Sequence, residues 1–387
     1  MTRRNLLAAA GAAPMFLPSS AQGANERVTM ALIGAGGRGR RVTADFIELG
    51  AQCAAVGDVY DLNLQKGLEV AGDGAKGYGD YREILDRKDI DAVLIATPDH
   101  WHVPMMLDAV QAGKDVYCEK PMSHSISQGN EAIRGVRATD RIVQIGMQRR
   151  STPWIIETKQ MVDDGAIGRI VMARASWNWI RSQPLDNSEL PGKLDTDSFV
   201  GSASKNLEPM MFRRWRYFWA FSGGNMTDQG THLMDVIQWF TNAGTPRSAV
   251  CHGRVVNMLG SEAPDVFAAS FEYDDLLATW TLNYNNDYEN GWQIRFEGDK
   301  GTLILDGGGY RLYNAPWAKN QEPVKTVDDR LPSIPHVRNF LECIKSREQP
   351  NATVEVGHSA VCGPHLANIA MHTKRTAFLN PEATETY

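Results

Sequence analysis

The feature that most narrows what this chain can fold into is a cluster of glycines set between two apolar runs. Val28–Ile33 (VTMALI) has the composition of a short buried strand and leads straight into Gly34-Ala35-Gly36-Gly37-Arg38-Gly39. Helical spacing follows over Arg40–Leu49, with Val42, Phe46 and Leu49 recurring, and then a second apolar run, Cys53–Gly57, closed by Asp58. Gly34 permits the tight turn, Gly36 lets a pyrophosphate approach the backbone, and Gly39 lets the helix lie close to the sheet. The helix start, with Gly37 and Arg38, offers free N–H groups and a positive dipole end to phosphate. Asp58 suits the hydroxyls of an adenosine ribose. A 2′-phosphate there would meet a carboxylate, and the next residues, Val59, Tyr60 and Asp61, supply no cation. Strand, glycine turn, helix, strand and acid together predict a dinucleotide-binding domain that takes NAD in preference to NADP.

The alternation continues with the same period. Ala92–Ala96, Val116–Cys118 and Ile142–Ile145 read as buried strands, separated by helical stretches such as Val103–Ala112 and Ile126–Thr139. Such an alternation gives a doubly wound parallel sheet, in which ligands sit beyond the carboxyl ends of the strands. Thr97-Pro98-Asp99-His100-Trp101-His102 and Glu119-Lys120-Pro121 both fall at strand ends. Thr97, Pro98, His100, His102, Glu119 and Lys120 therefore join the glycines and Asp58 as expected cofactor-side residues.

Further along, Gly223–Thr227 is a loop and Asp228–Phe240 has helical spacing. At about 100° per residue, Asp228, His232, Asp235 and Trp239 share one stripe, while Leu233, Val236, Ile237 and Phe240 form a separate apolar face. Asp228 and His232 thus point together toward a polar cleft. A neutral imidazole near its working pKa suits a general base, and a lysine ammonium suits developing charge on a reacting oxygen.

Four segments, taken in order, resemble the Gfo/Idh/MocA oxidoreductases: Gly34–Gly39, Thr97–His102, Glu119-Lys120-Pro121, and Asp228-Gln229-Gly230-Thr231-His232. The resemblance implies an α/β protein with an N-terminal Rossmann domain and a C-terminal α/β domain built on a large, mostly antiparallel sheet. It implies a sugar or polyol substrate, with Lys120, Asp228 and His232 as catalytic residues at the reacting carbon. Glucose–fructose oxidoreductases of that family carry Tyr where His232 stands, a departure that brings this chain closer to the inositol and sugar dehydrogenases.

From Ile170 the pattern changes to longer alternating strands, with Asp274-Asp275 and Gly298–Gly301 as hairpin turns. One face of that sheet is expected to cover the cleft and the other to pair with a second subunit in a homo-oligomer. His336–Lys345 and Val356–Thr373 read as helices, the second packing back on the first domain. Between them and the first domain, Arg181–Arg216 is a long stretch with little periodicity, the kind that is commonly functional or an interface. Its end, Phe212–Trp219, is rich in Arg and aromatic residues. Arg213, Trp215 and Tyr217, with Arg149 upstream, are expected to join Asp228 and His232 around a sugar.

The first residues stand apart. Arg3-Arg4 precedes a short apolar run over Leu6–Leu17, with Ala21 and Gly23 as small residues before a cleavage ahead of Ala24. This is the order of a twin-arginine signal peptide. The domains are then 1–23 as leader, 24–150 as Rossmann domain and 151–387 as substrate and oligomerisation domain. A chain exported already folded tolerates buried free thiols, and five cysteines cannot all pair within one molecule. Their spacing fits no metal site. A net charge of −6 argues against nucleic-acid binding. The chain also lacks an apolar run long enough to span a bilayer.

The expected activity is that of an exported, periplasmic NAD-linked dehydrogenase of a sugar or glycoside hydroxyl, with the cofactor tightly held. A glycoside-cleaving variant would oxidise one ring carbon transiently and eliminate the aglycone, with Tyr217 as a candidate second base. A sugar-binding or cofactor-sensing protein would keep the fold without needing Lys120, Asp228 and His232 together. Replacing Arg3-Arg4 by Lys-Lys should trap the folded precursor inside the cell, as fractionation and immunoblotting would reveal; unchanged export would rule out the twin-arginine route.

Overall fold

A computed structural model describes residues 27–203, 205–316, 322–380 and 386; the leader 1–23 lies outside them. The first sheet is built from β1 (Thr29–Ile33), β2 (Gln52–Gly57), β3 (Lys76–Tyr78), β4 (Ala92–Ile95), β5 (Asp115–Cys118) and β6 (Val143–Ile145). Its order is β3-β2-β1-β4-β5-β6, and every neighbouring pair is parallel. All but the edge strand β3 are buried along nearly their whole length, because helices cover both faces. Strand order reverses between β1 and β4, which is where an open α/β sheet leaves a crevice for a ligand.

The second sheet has nine strands: β7 (Ile170–Asn178), β8 (Ser248–Arg254), β9 (Val266–Glu272), β10 (Leu277–Asn283), β11 (Gly291–Gly298), β12 (Thr302–Asp306), β13 (Gly309–Tyr313), β14 (Lys325–Asp328) and β15 (Ala377–Phe378). Its order is β14-β13-β12-β11-β7-β10-β9-β8-β15, antiparallel except for the parallel pair β7–β10 at its centre. Burial alternates along these strands, so one face is core and the other open. Ala175, Trp177, Trp280, Ile294 and Phe296 are among the core-facing residues, whereas Arg174 and Glu297 pair on the open face.

The core face is covered by helices Gly230–Thr241 and Val354–Thr373. The latter touches both domains. Gly357 lies so close to Ile145 and Met122 that a Cβ would come within 2.8 Å of Ile145, while Gly363 sits against Pro246 and Phe271. His365 Nε2 hydrogen-bonds Ser123 O at 3.0 Å, and Asn368 donates to Gly223 O at 2.8 Å. This helix therefore ties the last strands of the first sheet to the loop that precedes the Asp228 segment.

Two expectations change in detail. The helix expected over Asp228–Phe240 is two helices, Gly224–Asp228 and Gly230–Thr241, jointed at Gln229. The stretch 181–216 is not structureless: it carries short helices Thr196–Val200 and Pro209–Arg213 and the 3₁₀ turn Trp215–Tyr217, packed around buried Phe199, Met211, Phe218 and Phe221. Helices this short have too few turns to show a period in sequence.

Candidate active site

Two adjoining cavities lie at the carboxyl ends of the first sheet, and a third continues from them into the second domain. The first, of about 370 Å³, is lined by Gly34, Gly36, Gly37, Arg38, Asp58, Thr97 and Pro98 from the first domain. Phe199, Phe212, Arg213, Trp215 and Arg216 close it from the opposite side. The glycines divide their work as the physics requires. Gly34 has φ +90°, and a Cβ on it would lie 2.7 Å from the Ala96 backbone. A Cβ on Gly39 would lie 2.2 Å from Gly34 O. Gly36 and Gly37 have nothing within 4 Å of a Cβ, so the space over the helix start is open. That open cradle at a helix N-terminus fits a pyrophosphate.

Asp58 is held in place by its acceptor bonds. Its Oδ2 accepts from Ala35 N–H at 2.7 Å and its Oδ1 from Tyr60 N–H at 2.9 Å. Burial outweighs these bonds and pushes the carboxyl up to about 6. Arg38 does not reach toward Asp58; its Nε pairs with Glu119 Oε1 at 2.6 Å, linking the glycine turn to the end of β5.

The stretch 181–216 straps this cavity. On one side Asp61 N–H donates to Lys193 O at 3.0 Å and Asp195 N–H to Val59 O at 2.9 Å, so the strap runs beside the Asp58 loop. On the other, Trp101 Nε1 donates to Phe199 O at 2.9 Å, and His100 Nε2 meets the same carbonyl at 3.0 Å.

The second cavity, of about 300 Å³, is lined by Arg38, Thr97, His102, Glu119, Lys120, Gln148, Trp215, Arg216, Asp228 and His232. Lys120 Nζ donates to Asp228 Oδ1 and to Asp228 O, both at 2.7 Å. Arg216 Nε donates to the same Oδ1 at 3.1 Å. Burial would raise the Asp228 carboxyl, but Lys120 and Arg216 prevail and hold it well below the usual carboxylate range. An ammonium has three donors; two are used here, which leaves one N–H of Lys120 for a reacting oxygen.

His232 lies one turn from Asp228 and is buried. Burial, aided by the cations Arg149, Lys120 and Arg38, holds its imidazole well below the usual value, so it is neutral at pH 7. Its Nδ1 has no partner among the described residues. His102 is fixed between Pro121 O at 2.7 Å and Thr97 O at 2.9 Å, where it braces two strand ends around the pocket.

The third cavity, of about 410 Å³, shares Arg216 and Asp228 with the second and extends to Trp179, Arg181, Arg214, Tyr217, Asn225, Gln229 and Tyr284.

Most of the residues singled out from sequence thus converge, but three sit differently. Arg149 lines none of these cavities: it is buried with its guanidinium 4.3 Å from the Trp292 ring centre and 5.8 Å from that of Trp177. Arg213 faces the first cavity rather than the sugar-side pocket, and it is spent on Ser188 O at 2.6 Å and Glu189 O at 2.9 Å. His100 anchors the strap, with burial lowering its imidazole to about 4. Arg216, which sequence reasoning passed over, is central. Its place one residue before Tyr217 in an Arg-aromatic run was the signal, but only the fold brings it to Asp228. Gln148 was missed with no signal in its surroundings. Tyr217 faces the third cavity, where burial and the Asp228 charge raise its phenol, so it stays a donor and makes a poor base.

Residues 28–147 match the model of an oxidoreductase family with an NAD-binding Rossmann fold, and residues 155–304 match the Gfo/Idh/MocA C-terminal domain. The chain belongs to the Gfo/Idh/MocA oxidoreductases. It is 32% identical over 150 residues to an inositol 2-dehydrogenase of Klebsiella pneumoniae, a stretch covering 38% of this chain and 44% of that one. It is 27% identical over 191 residues to a levoglucosan dehydrogenase of Pseudarthrobacter phenanthrenivorans, covering 47% of this chain and 42% of that one. The matches thus span less than half the length of these relatives. The fold is similar to that of a levoglucosan dehydrogenase solved with NADH and levoglucosan, with TM-score 0.72 and 16% identity over 90% of this chain and 98% of that one. It is equally similar, at TM-score 0.72 and 19% identity over 91% and 98% of the two chains, to the WlbA dehydrogenase of Bordetella pertussis with NADH and UDP-GlcNAcA.

Gly36→Ala should leave chemical denaturation unchanged while weakening dinucleotide binding in a calorimetric titration. Gly39→Ala should instead cost about 1–3 kcal/mol of stability or more, because backbone must move. Dinucleotide affinity should also fall as pH drops through about 6, since the Asp58 carboxyl is charged only above that value; Asp58→Asn should abolish that dependence.

Proposed function

We propose that this protein oxidises a hydroxyl of a sugar or glycoside to a keto group, using NAD held in the first cavity. The observation that supports this most directly is the convergence of Lys120, Asp228 and a neutral, buried His232 on one pocket beside the glycine turn. The dinucleotide, when bound, supplies the hydride acceptor. His232 takes the hydroxyl proton, for which its neutral form is competent. Lys120 turns its remaining N–H toward the same oxygen and stabilises charge developing there. Asp228 is too weak a base to compete, and its role is to orient Lys120 and Arg216.

The sugar and inositol dehydrogenases among the relatives support this class of substrate. The strap supports a tightly retained cofactor, since its bonds to both sides of the first cavity would have to open for release. Retention suits a protein exported by its twin-arginine leader, because the dinucleotide would travel with it and be recycled in place. The open, alternating face of the second sheet supports pairing with another copy of the chain. The glycoside-cleaving variant draws no support from Tyr217, whose phenol is held protonated.

Denaturing the purified protein should release NAD; NADP as the main product would overturn the reading of Asp58. Single-turnover reduction of the bound cofactor by a panel of sugars should then slow by about 10²–10⁴ in His232→Ala, and should be lost in Lys120→Ala, with nucleotide content unchanged in both. Near-normal reduction in His232→Ala would show that the base lies elsewhere, and loss of nucleotide would make the residue structural.

A further inference from the structure

The third cavity has more positive charge than its own carboxylate can answer. Arg181 and Arg214 stand exposed at its rim, and among the described residues neither forms an ion pair. Asp228 is the single carboxylate in the lining, and Lys120 and Arg216 already share it. Arg181 sits over Trp179 with its guanidinium carbon 4.9 Å from the ring centre, which positions the group.

The buried residues Asn225 and Gln229 also line the cavity and carry polar atoms that lack partners among the described residues. Asn225 is 2% exposed and Gln229 is 8% exposed, and among the described residues neither Asn225 Nδ2 nor Gln229 Oε1 has a partner. Gln229 directs its amide nitrogen to Tyr284 OH, so its oxygen is the atom left without a partner among the described residues. Buried polar atoms of this kind are costly unless something bonds them. Trp179 and Tyr284 stack at 28° with ring centres 5.8 Å apart and give the cavity an apolar wall.

The geometry points to an anion subsite in this cavity: Arg181 and Arg214 bind a carboxylate, sulfate or phosphate carried by the sugar whose hydroxyl reacts beside His232. The planar guanidinium fork matches the paired oxygens of such groups. Asn225 and Gln229 take hydroxyls of the same molecule, and the Trp179–Tyr284 wall covers an apolar face of it. The substrate is then an acidic sugar, such as a uronide or a sugar ester, rather than a neutral polyol. This inference rests on the sugar-oxidising reading for its substrate, but not for its anion.

Calorimetric titration of the purified, cofactor-loaded protein tests it. The probes are methyl β-D-glucuronide, glucose 6-phosphate and methyl β-D-glucoside. At least one acidic sugar should bind about tenfold or more tightly than the neutral glucoside, a preference of the size expected for charge-assisted hydrogen bonds. The comparison of glucuronide with phosphate identifies which anion the site prefers. Because the arginines are exposed, added salt should erode the preference. The double variant R181A/R214A should lose the preference, and R181K/R214K should keep most of it, which separates lost charge from disturbed folding. Equal binding of all three sugars, no detectable binding of either acidic sugar, or a preference that survives in R181A/R214A would each overturn the subsite. If an acidic sugar binds through the arginines but reduces no cofactor, the subsite stands and the dehydrogenase reading fails. If the neutral glucoside reduces cofactor and the acidic sugars neither bind nor react, the reverse holds.

Discussion

The Asp228 carboxylate, gripped by Lys120 from one domain and Arg216 from the strap, is the interaction on which the rest of this structure depends. It joins three separate parts of the chain: the end of β5, the last turn of the strap, and the jointed helices that lead into the second domain. Removing charges from water is expensive, and a buried ion pair is weak evidence for stability. Its value here is geometric. Two cations on one carboxylate fix the ammonium of Lys120 with one hydrogen left over, and they leave the pocket with surplus positive charge.

That surplus governs the neighbouring titrations. Lys120, Arg38 and the buried Arg149 act with burial to keep His232 neutral. Arg149 contributes although it lines none of the three cavities, because its charge sits against Trp177 and Trp292 and forms no ion pair among the described residues; the nearby Asp235, which stabilises that charge, makes its ion pair with Arg150 at 2.6 Å. A neutral base, a strongly acidic carboxylate and an oriented ammonium are therefore consequences of one charge arrangement rather than three independent adjustments.

The strap gives that arrangement its boundaries. Its residues close the dinucleotide cavity on one side and supply Arg214, Arg216 and Tyr217 to the sugar side on the other. Trp215 and Arg216 line both the first and the second cavity, so a single short 3₁₀ turn separates the two compartments. Arg216 also lies 4.1 Å from the Trp215 ring centre, which stiffens that divide.

The sequence by itself determined the Rossmann domain, because every element of that motif is local: Gly34, Gly36, Gly39 and Asp58 sit within one strand-helix-strand unit, and their backbone demands are specific to glycine or to a carboxylate. It also placed Lys120 at a strand end and set Asp228 and His232 about one helical turn apart, though the joint at Gln229 that splits their helix was not readable, since strand termini and a period of 3.6 are local but a break in a helix depends on its packing. Tertiary structure alone decided that Arg216 reaches Asp228, that Arg149 is sealed between tryptophans, that Arg213 and His100 hold the strap, and that β7 and β10 run parallel. Each of these depends on which distant segments pack together. Long polar and aromatic side chains look alike in sequence whether they line a cavity, brace a carbonyl or fill a core, and only packing and charge balance assign them to one role.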